Sequence, residues 1–320
     1  MNLQKIETAF ETEYKPKLKP LEDMREKSIN VIFVGILLLP IICIIAYLMT
    51  ESYRLDPRIS MGIASVMIMF YYGYCRSTWN QYRYNYKQQV MNAMLSTIFP
   101  SLTFSANKSI DSKLYKKSRL YLTEANSFSG EDYISGKLGD TAIEFSELES
   151  FHTTTNRDSN GNQNTKNKTI FKGVFFVADF NKNFDCHLFI VPQRRFFSSV
   201  STIFGDGSNE MGQLVKLENT EFEEFFEVYS SDQIEARYIL SSKLMEKLVE
   251  FRQKFSNQIR ISFIDGMLFI AIESSKNHFE PELFTPATSF SVVEEFYNQL
   301  TFLTDIVDDF DLNTRIWTKK

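Results

Sequence analysis

Cysteine is scarce: Cys43, Cys75 and Cys186 are the only three in 320 residues. Three thiols build no disulfide framework, and such usage suits a reducing compartment. Histidine is equally thin. His152, His187 and His278 lie too far apart in sequence to suggest the clustered ligands of a zinc site. The chain contains no G-x-S-x-G, P-loop, H-E-x-x-H or C-x-x-C, so no reaction is spelled out. An excess of positive charge is missing too. The net charge is −5; residues 1–99 carry 11 Lys and Arg against 8 Asp and Glu, and residues 100–320 carry 24 against 32. The acidic second stretch is repelled by phosphates and anionic lipid, which argues against nucleic acid as a partner.

Apolar residues are abundant at 43%, with 30 Phe and 15 Tyr. They concentrate first in Ile29–Cys75, around which the rest of the chain is organised. The run INVIFVGILLLPIICIIAYLM (29–49) has 21 residues and no charge. At a rise of about 1.5 Å per residue it matches a hydrocarbon core of about 30 Å. After the polar break TESYRLDPR comes a second run, ISMGIASVMIMFYYGYC (59–75), of 17 residues. It needs its tyrosine-rich end, with Tyr71, Tyr72, Tyr74 and Trp79, at the headgroups to complete a crossing. Asp56 followed by Pro57 is an N-cap with proline at the first helical position. Pro40 is tolerable within a membrane helix, where neighbouring groups re-satisfy the freed carbonyl. These signals predict a two-helix transmembrane hairpin in a lipid bilayer. The alternatives are a buried hairpin of a soluble protein or a signal peptide; the latter suits neither the 28 preceding residues nor Met49-Thr50-Glu51 as a cleavage site. Lys15, Lys17, Lys19, Arg25 and Lys27 precede the hairpin and Arg76, Arg83 and Lys87 follow it, against Arg54 and Arg58 in its loop, so both termini are expected in the cytoplasm.

Residues 1–28 read as a helical segment with Ile6, Phe10, Tyr14, Leu18 and Leu21 on one face, interrupted by Pro16 and Pro20. Residues 76–99 continue the helix beyond the membrane. Their stripe of Tyr82, Tyr86, Val90, Met94 and Ile98 reads as a packing face rather than a base-stacking surface, because Arg83 and Lys87 are its only cations. Residues 100–320 read as an α+β domain of antiparallel strands with packed helices. A hairpin is expected at Tyr133–Phe145, turning at Gly139-Asp140, followed by a mobile polar loop over Thr153–Thr169. A second strand pair is expected from Phe171–Ala178 and Cys186–Val191, turning at 181–183. Next come a polar loop from Phe196 to Gln213 beside Arg194-Arg195, a strand at Leu214–Leu217, and capping boxes at Thr220/Glu223 and Asp232/Glu235. The pattern continues with a helix ending near Phe255, a hairpin at Ile259–Ile272 turning at Asp265-Gly266, and a last helix capped by Ser291 with Glu294.

The strings GEDYISGKLGDTAIEFSELE (Gly130–Glu149), FKGVFFVADFNKNF (Phe171–Phe184), EFEEFFEVYSSDQIEARYILSSKLMEKL (Glu221–Leu248), ISFIDGMLFIAI (Ile261–Ile272) and Phe279-Glu280-Pro281 resemble the bacterial domain of unknown function number 3137, sometimes mislabelled galanin. The resemblance implies an inner-membrane protein with a cytoplasmic α+β domain, encoded beside LemA-type membrane proteins. It carries over no catalytic residue and no cofactor. Read physically, Asp232 and Glu235 cap a helix, Arg237 pairs with a carboxylate, and Glu131-Asp132 are turn residues whose acids offer a cation site as the alternative. The function expected is that of a membrane-anchored interaction or scaffold protein, with a LemA-type protein as partner. A ligand- or lipid-sensing module on a small curved sheet and an enzyme with a carboxylate site are the alternatives.

Overall fold

The computed structural model describes residues 3–54, 56–157, 163–180, 184, 186–193, 211–254, 258–309 and 312. The chain forms two units: residues 1–98 with 279–297, and residues 99–278 with 298–320. The stretch 100–320, expected as one domain, is therefore divided between them.

The helical unit begins with α1 (Leu3–Ala9), passes through a π-helical turn (Phe10–Tyr14) and continues as α2 (Lys15–Tyr53). Pro16 and Pro20 do not interrupt it. The widened turn, in which the Lys15 N–H donates to the Phe10 carbonyl, lies just before Pro16 and lets the chain enter α2 with proline in its first turn. Arg54 at φ 48 turns the chain, the Asp56 carboxylate accepts the Arg58 N–H at 2.9 Å, and α3 (Pro57–Ile98) runs back along α2. Ile6, Phe10, Tyr14, Leu18 and Leu21 are all buried, as are Tyr82, Tyr86, Val90, Met94 and Ile98. These stripes are packing faces; the Tyr14 hydroxyl reaches the Ala93 carbonyl at 2.9 Å and also bonds Thr97.

Beyond that packed end the hairpin is bare. Phe33, Ile36, Leu37, Ile44 and Leu48 on α2, and Ile59, Met61, Met69 and Phe70 on α3, are all more than half exposed. Among the described residues one helix, Ile6–Tyr53, is long and apolar enough to cross a membrane, where the sequence reading expected two spans, 29–49 and 59–75. The second run falls short because Ser60, Gly62, Ser65, Tyr71, Tyr72 and Tyr74 dilute it, and it then runs straight into Arg76.

The second unit is a nine-stranded antiparallel sheet in the order β1-β2-β3-β4-β9-β8-β5-β7-β6. Its strands are β1 (Leu102–Ser105), β2 (Ser127–Leu138), β3 (Thr141–Arg157), β4 (Gln163–Asp179), β5 (Leu188–Pro192), β6 (Gln213–Val215), β7 (Phe226–Ser230), β8 (Ile259–Ile264) and β9 (Met267–Glu273). Short helices α4 (Ser112–Lys117), α5 (Thr220–Phe225) and α6 (Gln233–Ile239) accompany α7 (Ser242–Lys254) and the C-terminal half of α8 (Phe290–Asp309). The β8–β9 turn places Asp265 at φ 51 and Gly266 at φ 70, the two positive angles expected there.

This hairpin also overturns one expected pairing. Strands β4 and β5 are not neighbours; β9 pairs β4, β8 pairs β5, and the pair lies between them. Every residue of β8 is buried, Arg260 and Ser262 included, so the strand belongs in the middle of the sheet, where both faces are covered. One face holds Phe171, Phe175, Val177, Phe189, Phe269 and Ala271 against Ile110, Tyr115 and Leu120. The alternate residues Val174, Phe176, Leu188, Ile190 and Ile270 are buried too, with Phe145 stacked on Phe176 at 5.9 Å.

The polar stretch 153–169 corrects a second expectation. Its described residues are strand, not mobile loop: Thr153 pairs with Asn167 and Arg157 with Gln163, and beyond Thr153 the side chains of this ribbon are exposed. Ladder hydrogen bonds come from the backbone, and threonine suits a strand, so a ribbon needs no apolar burial where it extends a folded sheet. Helix starts also shift. Asn219, not Thr220, caps α5 by accepting the Phe222 N–H at 3.0 Å, and α8 begins at Phe290, one residue before Ser291. The turn at 181–183, the stretch 194–210 and Phe255 lie outside the described residues.

Candidate functional site

Two features of the helical unit gather charged side chains. The first is a clamp. On α2, Glu22 and Arg25 are one turn apart and form an ion pair with Nη2–Oε1 at 2.5 Å. Each also holds the returning segment 279–289: Arg25 Nη1 donates to the Leu283 carbonyl at 2.8 Å, and the Ala287 N–H donates to Glu22 Oε2 at 2.6 Å. On α3, Arg83 and Lys87 share a face at four-residue spacing, and both reach Glu280; the Arg83 Nη2–Oε1 distance is 2.6 Å. Lys87 is 2% exposed, so its ammonium depends on that carboxylate. Hydrogen bonding from Arg25 holds the Glu22 carboxyl below its ordinary range, against the opposing effect of burial.

Beneath the clamp, Trp79, Tyr82 and Tyr86 follow one another with ring centroids 5.3 and 5.7 Å apart, and Tyr86 meets Phe296 edge-on at 6.2 Å. Both Tyr82 and Tyr86 are fully buried, and among the described residues neither hydroxyl has a hydrogen-bond partner. Burial pushes both phenols well above their usual range. Both phenols are therefore held neutral within the packed face.

The second feature is an open groove of about 500 Å³, lined by Asp23, Glu26, Lys27, Asn30, Val31 and Val34 of α2 with Tyr71 and Tyr74 of α3. The α2 residues fall at helical spacing on one face, polar up to Asn30 and apolar from Val31 onward. Its floor is fixed by close packing. The Tyr71 hydroxyl donates to the Val31 carbonyl at 2.5 Å, and its ring lies so near Gly35 that a Cβ there would come within 2.2 Å of Cε1.

In the sheet unit, the polar burial is of another kind. Arg260, 4% exposed, lies 3.6 Å from Glu273 Oε1 and 5.1 Å from the Tyr121 ring centroid. The Tyr121 hydroxyl donates to the same carboxylate at 3.3 Å, and Tyr115 stacks on Tyr121 at 6.0 Å while accepting from the Ser150 hydroxyl at 2.8 Å. This arrangement neutralises a charge in the core and pins residues 115–121 to the sheet.

The residues singled out in the sequence are dispersed. Asp232 caps α6 through the N–H groups of Ile234 and Glu235, which hold its carboxyl below the ordinary range. Glu235 turns instead to the Cys186 N–H at 2.8 Å. Arg237 donates to the Gln233 and Lys216 carbonyls at 2.9 and 3.1 Å, and among the described residues it pairs with no carboxylate. Glu131 and Asp132 sit within β2 at a bulge, not before it; Asp132 has φ 59 and its N–H donates to the Ala106 carbonyl at 3.1 Å. His152 bonds the Glu124 carbonyl at 2.8 Å, the His187 N–H donates to the Ser231 hydroxyl at 3.0 Å, and the His278 N–H donates to Glu147. Burial pushes the Cys186 thiol up to about 12, far from the thiolate a nucleophile needs. The clamp itself was missed in the sequence. Arg83 and Lys87 read as two cations in a packing stripe, although Glu280, their partner, stands in one of the strings that carried the family resemblance.

The fold thus defines a class: an antiparallel α+β domain continuous with a long helical hairpin of bare apolar surface. Residues 169–312, a little under half of the chain, match the family described as Protein of unknown function (DUF3137). No curated protein matches the chain. Among solved structures, the crystal structure of the mycobacterial trehalose monomycolate transport factor A, TtfA, aligns over 68% of this chain and 94% of that one, with 6% identity and a TM-score of 0.31. A likeness at that level carries no argument here.

Proposed function

We propose that this chain is a membrane-anchored interaction protein: α2 lies in lipid, α3 accompanies it through their pairing, and the sheet unit faces partners from the cytoplasmic side. One observation carries the anchor. The most apolar 18 residues of the first long helix have a mean hydropathy of 3.0, yet only 6% of them are buried. A core helix of a soluble protein is mostly buried; this one leaves its surface for another apolar medium to cover. On its own composition α3 does not qualify as a span. What supports its lying in lipid is that it runs back along α2 from a tight turn and grips it at Gly35 and Tyr71. The basic residues flanking the hairpin favour cytoplasmic ends.

The interaction surface is the β3–β4 ribbon. Cross-strand register puts His152, Thr154 and Asn156 opposite Lys168, Lys166 and Asn164, and its described residues include Arg157 and no acid. On a stretch of chain that carries net negative charge, this exposed basic ribbon suits an acidic protein surface. A membrane protein of the LemA type is the partner the family resemblance suggests. The test is a photo-crosslinking residue at Thr154 in the full chain expressed in bacteria, followed by alkaline carbonate washing of the membranes. The expected result is a washed membrane fraction holding both the chain and one discrete crosslinked adduct. Release of the chain by the wash removes the anchor, and retention without an adduct removes the interaction surface.

A further inference from the structure

We propose that the groove between α2 and α3 is a binding site for a phospholipid whose headgroup carries a primary amine, of the phosphatidylethanolamine kind. The inference rests on the membrane reading above and goes beyond it by naming a specific lipid site. The groove changes character along its length. Asp23, Glu26, Lys27 and Asn30 line the end that leads away from the apolar run, and Val31, Val34, Tyr71 and Tyr74 line the part within it. From residue 23 to residue 34 the helix rises about 16 Å, which is enough to pass from headgroup to upper acyl chain. An amphipathic groove lying along the direction of a lipid molecule, open at the side, admits a lipid and not a globular ligand.

Charge selects the headgroup. Two carboxylates and one ammonium face the polar end, so a purely anionic headgroup meets a net negative site, whereas a zwitterion finds both partners. Its amine is placed to donate to Asp23 and Glu26, and its phosphate to accept from Lys27 and Asn30. These side chains are uncommitted: among the described residues none of the four makes a hydrogen bond or ion pair, in contrast to Glu22 and Arg25 on the adjoining face of the same helix. The floor is rigid as well, because Tyr71 is pinned to the Val31 carbonyl and seated on Gly35, so the apolar channel exists before any acyl chain enters.

The experiment is native mass spectrometry of the full chain in mild detergent, given equimolar dioleoyl-phosphatidylethanolamine, dioleoyl-phosphatidylglycerol and dioleoyl-phosphatidylcholine. It compares the natural chain with an Asp23→Asn/Glu26→Gln double variant, whose changes are isosteric and lie on an open surface. The proposal expects the ethanolamine lipid to be retained about ten-fold over both others, the choline headgroup having charge but no N–H donor, and expects the double variant to lose that preference. Equal retention of the three lipids, an unchanged preference in the double variant, or a dimer that carries no lipid overturns it. A chain that the carbonate wash strips from membranes fails at the anchor instead, so the two failures are told apart.

Discussion

Leu37, midway along α2, is 70% exposed, whereas Ile270, midway along β9, is 0% exposed. The two aliphatic side chains have the same transfer chemistry, and the fold covers one and leaves the other bare. The pattern is general to the two regions. Both faces of the sheet's centre are packed, from Phe175 and Phe269 on one to Phe176 and Ile190 on the other, while away from its clamp the hairpin buries little besides Gly35, Ser60 and Ala64. The chain builds a dry core in one region and leaves its most apolar helix open in the other, and the proposed anchor accounts for that contrast by giving each region a different solvent.

Truncating the two side chains separates the regions most strongly. Ile270→Ala should destabilise the sheet unit by about 2–5 kcal/mol, read by urea denaturation of the detergent-solubilised chain, whereas Leu37→Ala should shift that transition by less than about 0.5 kcal/mol. Similar losses from both would erase the contrast.

Removing the clamp's shared carboxylate comes next. Glu280→Gln leaves Lys87 and Arg83 without the acid they both reach, and should cost the helical unit about 3 kcal/mol. The measurable sign is rapid proteolysis of segment 279–289, and pairing it with Lys87→Met should restore part of the protection. No change in cleavage would mean that the clamp is ornamental.

Acid should strike the two regions in different windows. Burial holds His278 of the sheet unit below the ordinary histidine value, with Lys276 acting in the same direction. Its neutral form therefore stabilises the fold fully above about pH 6.5 and progressively less as pH falls toward the depressed value. Glu22 of the helical unit is likewise depressed, from an ordinary carboxylate value, so its contribution persists to about pH 4.5 and is lost only below that. Hydrogen exchange across this range should show sheet amides loosening first, and His278→Asn should flatten that first loss. Loosening of the helical unit above pH 5 would reverse the assignment. The smallest effect belongs to a cap: Asn219→Ala should cost about 1 kcal/mol, seen as a small fall in the sheet unit's Tm.

Much of this fold is legible in the residues because local chemistry dictates it. Asp265-Gly266 supplies a turn, Asp56-Pro57 starts a helix, Asp232 caps another, and the stripe from Ile6 to Leu21 declares a packing face. What is not legible is what depends on distant partners. The placement of β8–β9 between β4 and β5 follows from burial on both faces and not from chain order. The polar ribbon reads as loop because its pairing is carried by the backbone and not by its side chains. The π-helical turn that admits Pro16 leaves no pattern of its own. The clamp joins Glu22 and Arg25 to residues more than 250 positions away, a pairing that no local pattern records.

The central claim is that the bare hairpin surface lies in hydrocarbon. Single nitroxide labels at Leu37, Ile44, Met61 and Phe70 in the bilayer-reconstituted chain, compared with one at Thr154 on the ribbon, test it through collision rates with oxygen and with a water-soluble nickel chelate. The account predicts high oxygen and low nickel accessibility at the four hairpin positions and the reverse on the ribbon. High nickel accessibility at Leu37 and Ile44 would place that surface in water and contradict it.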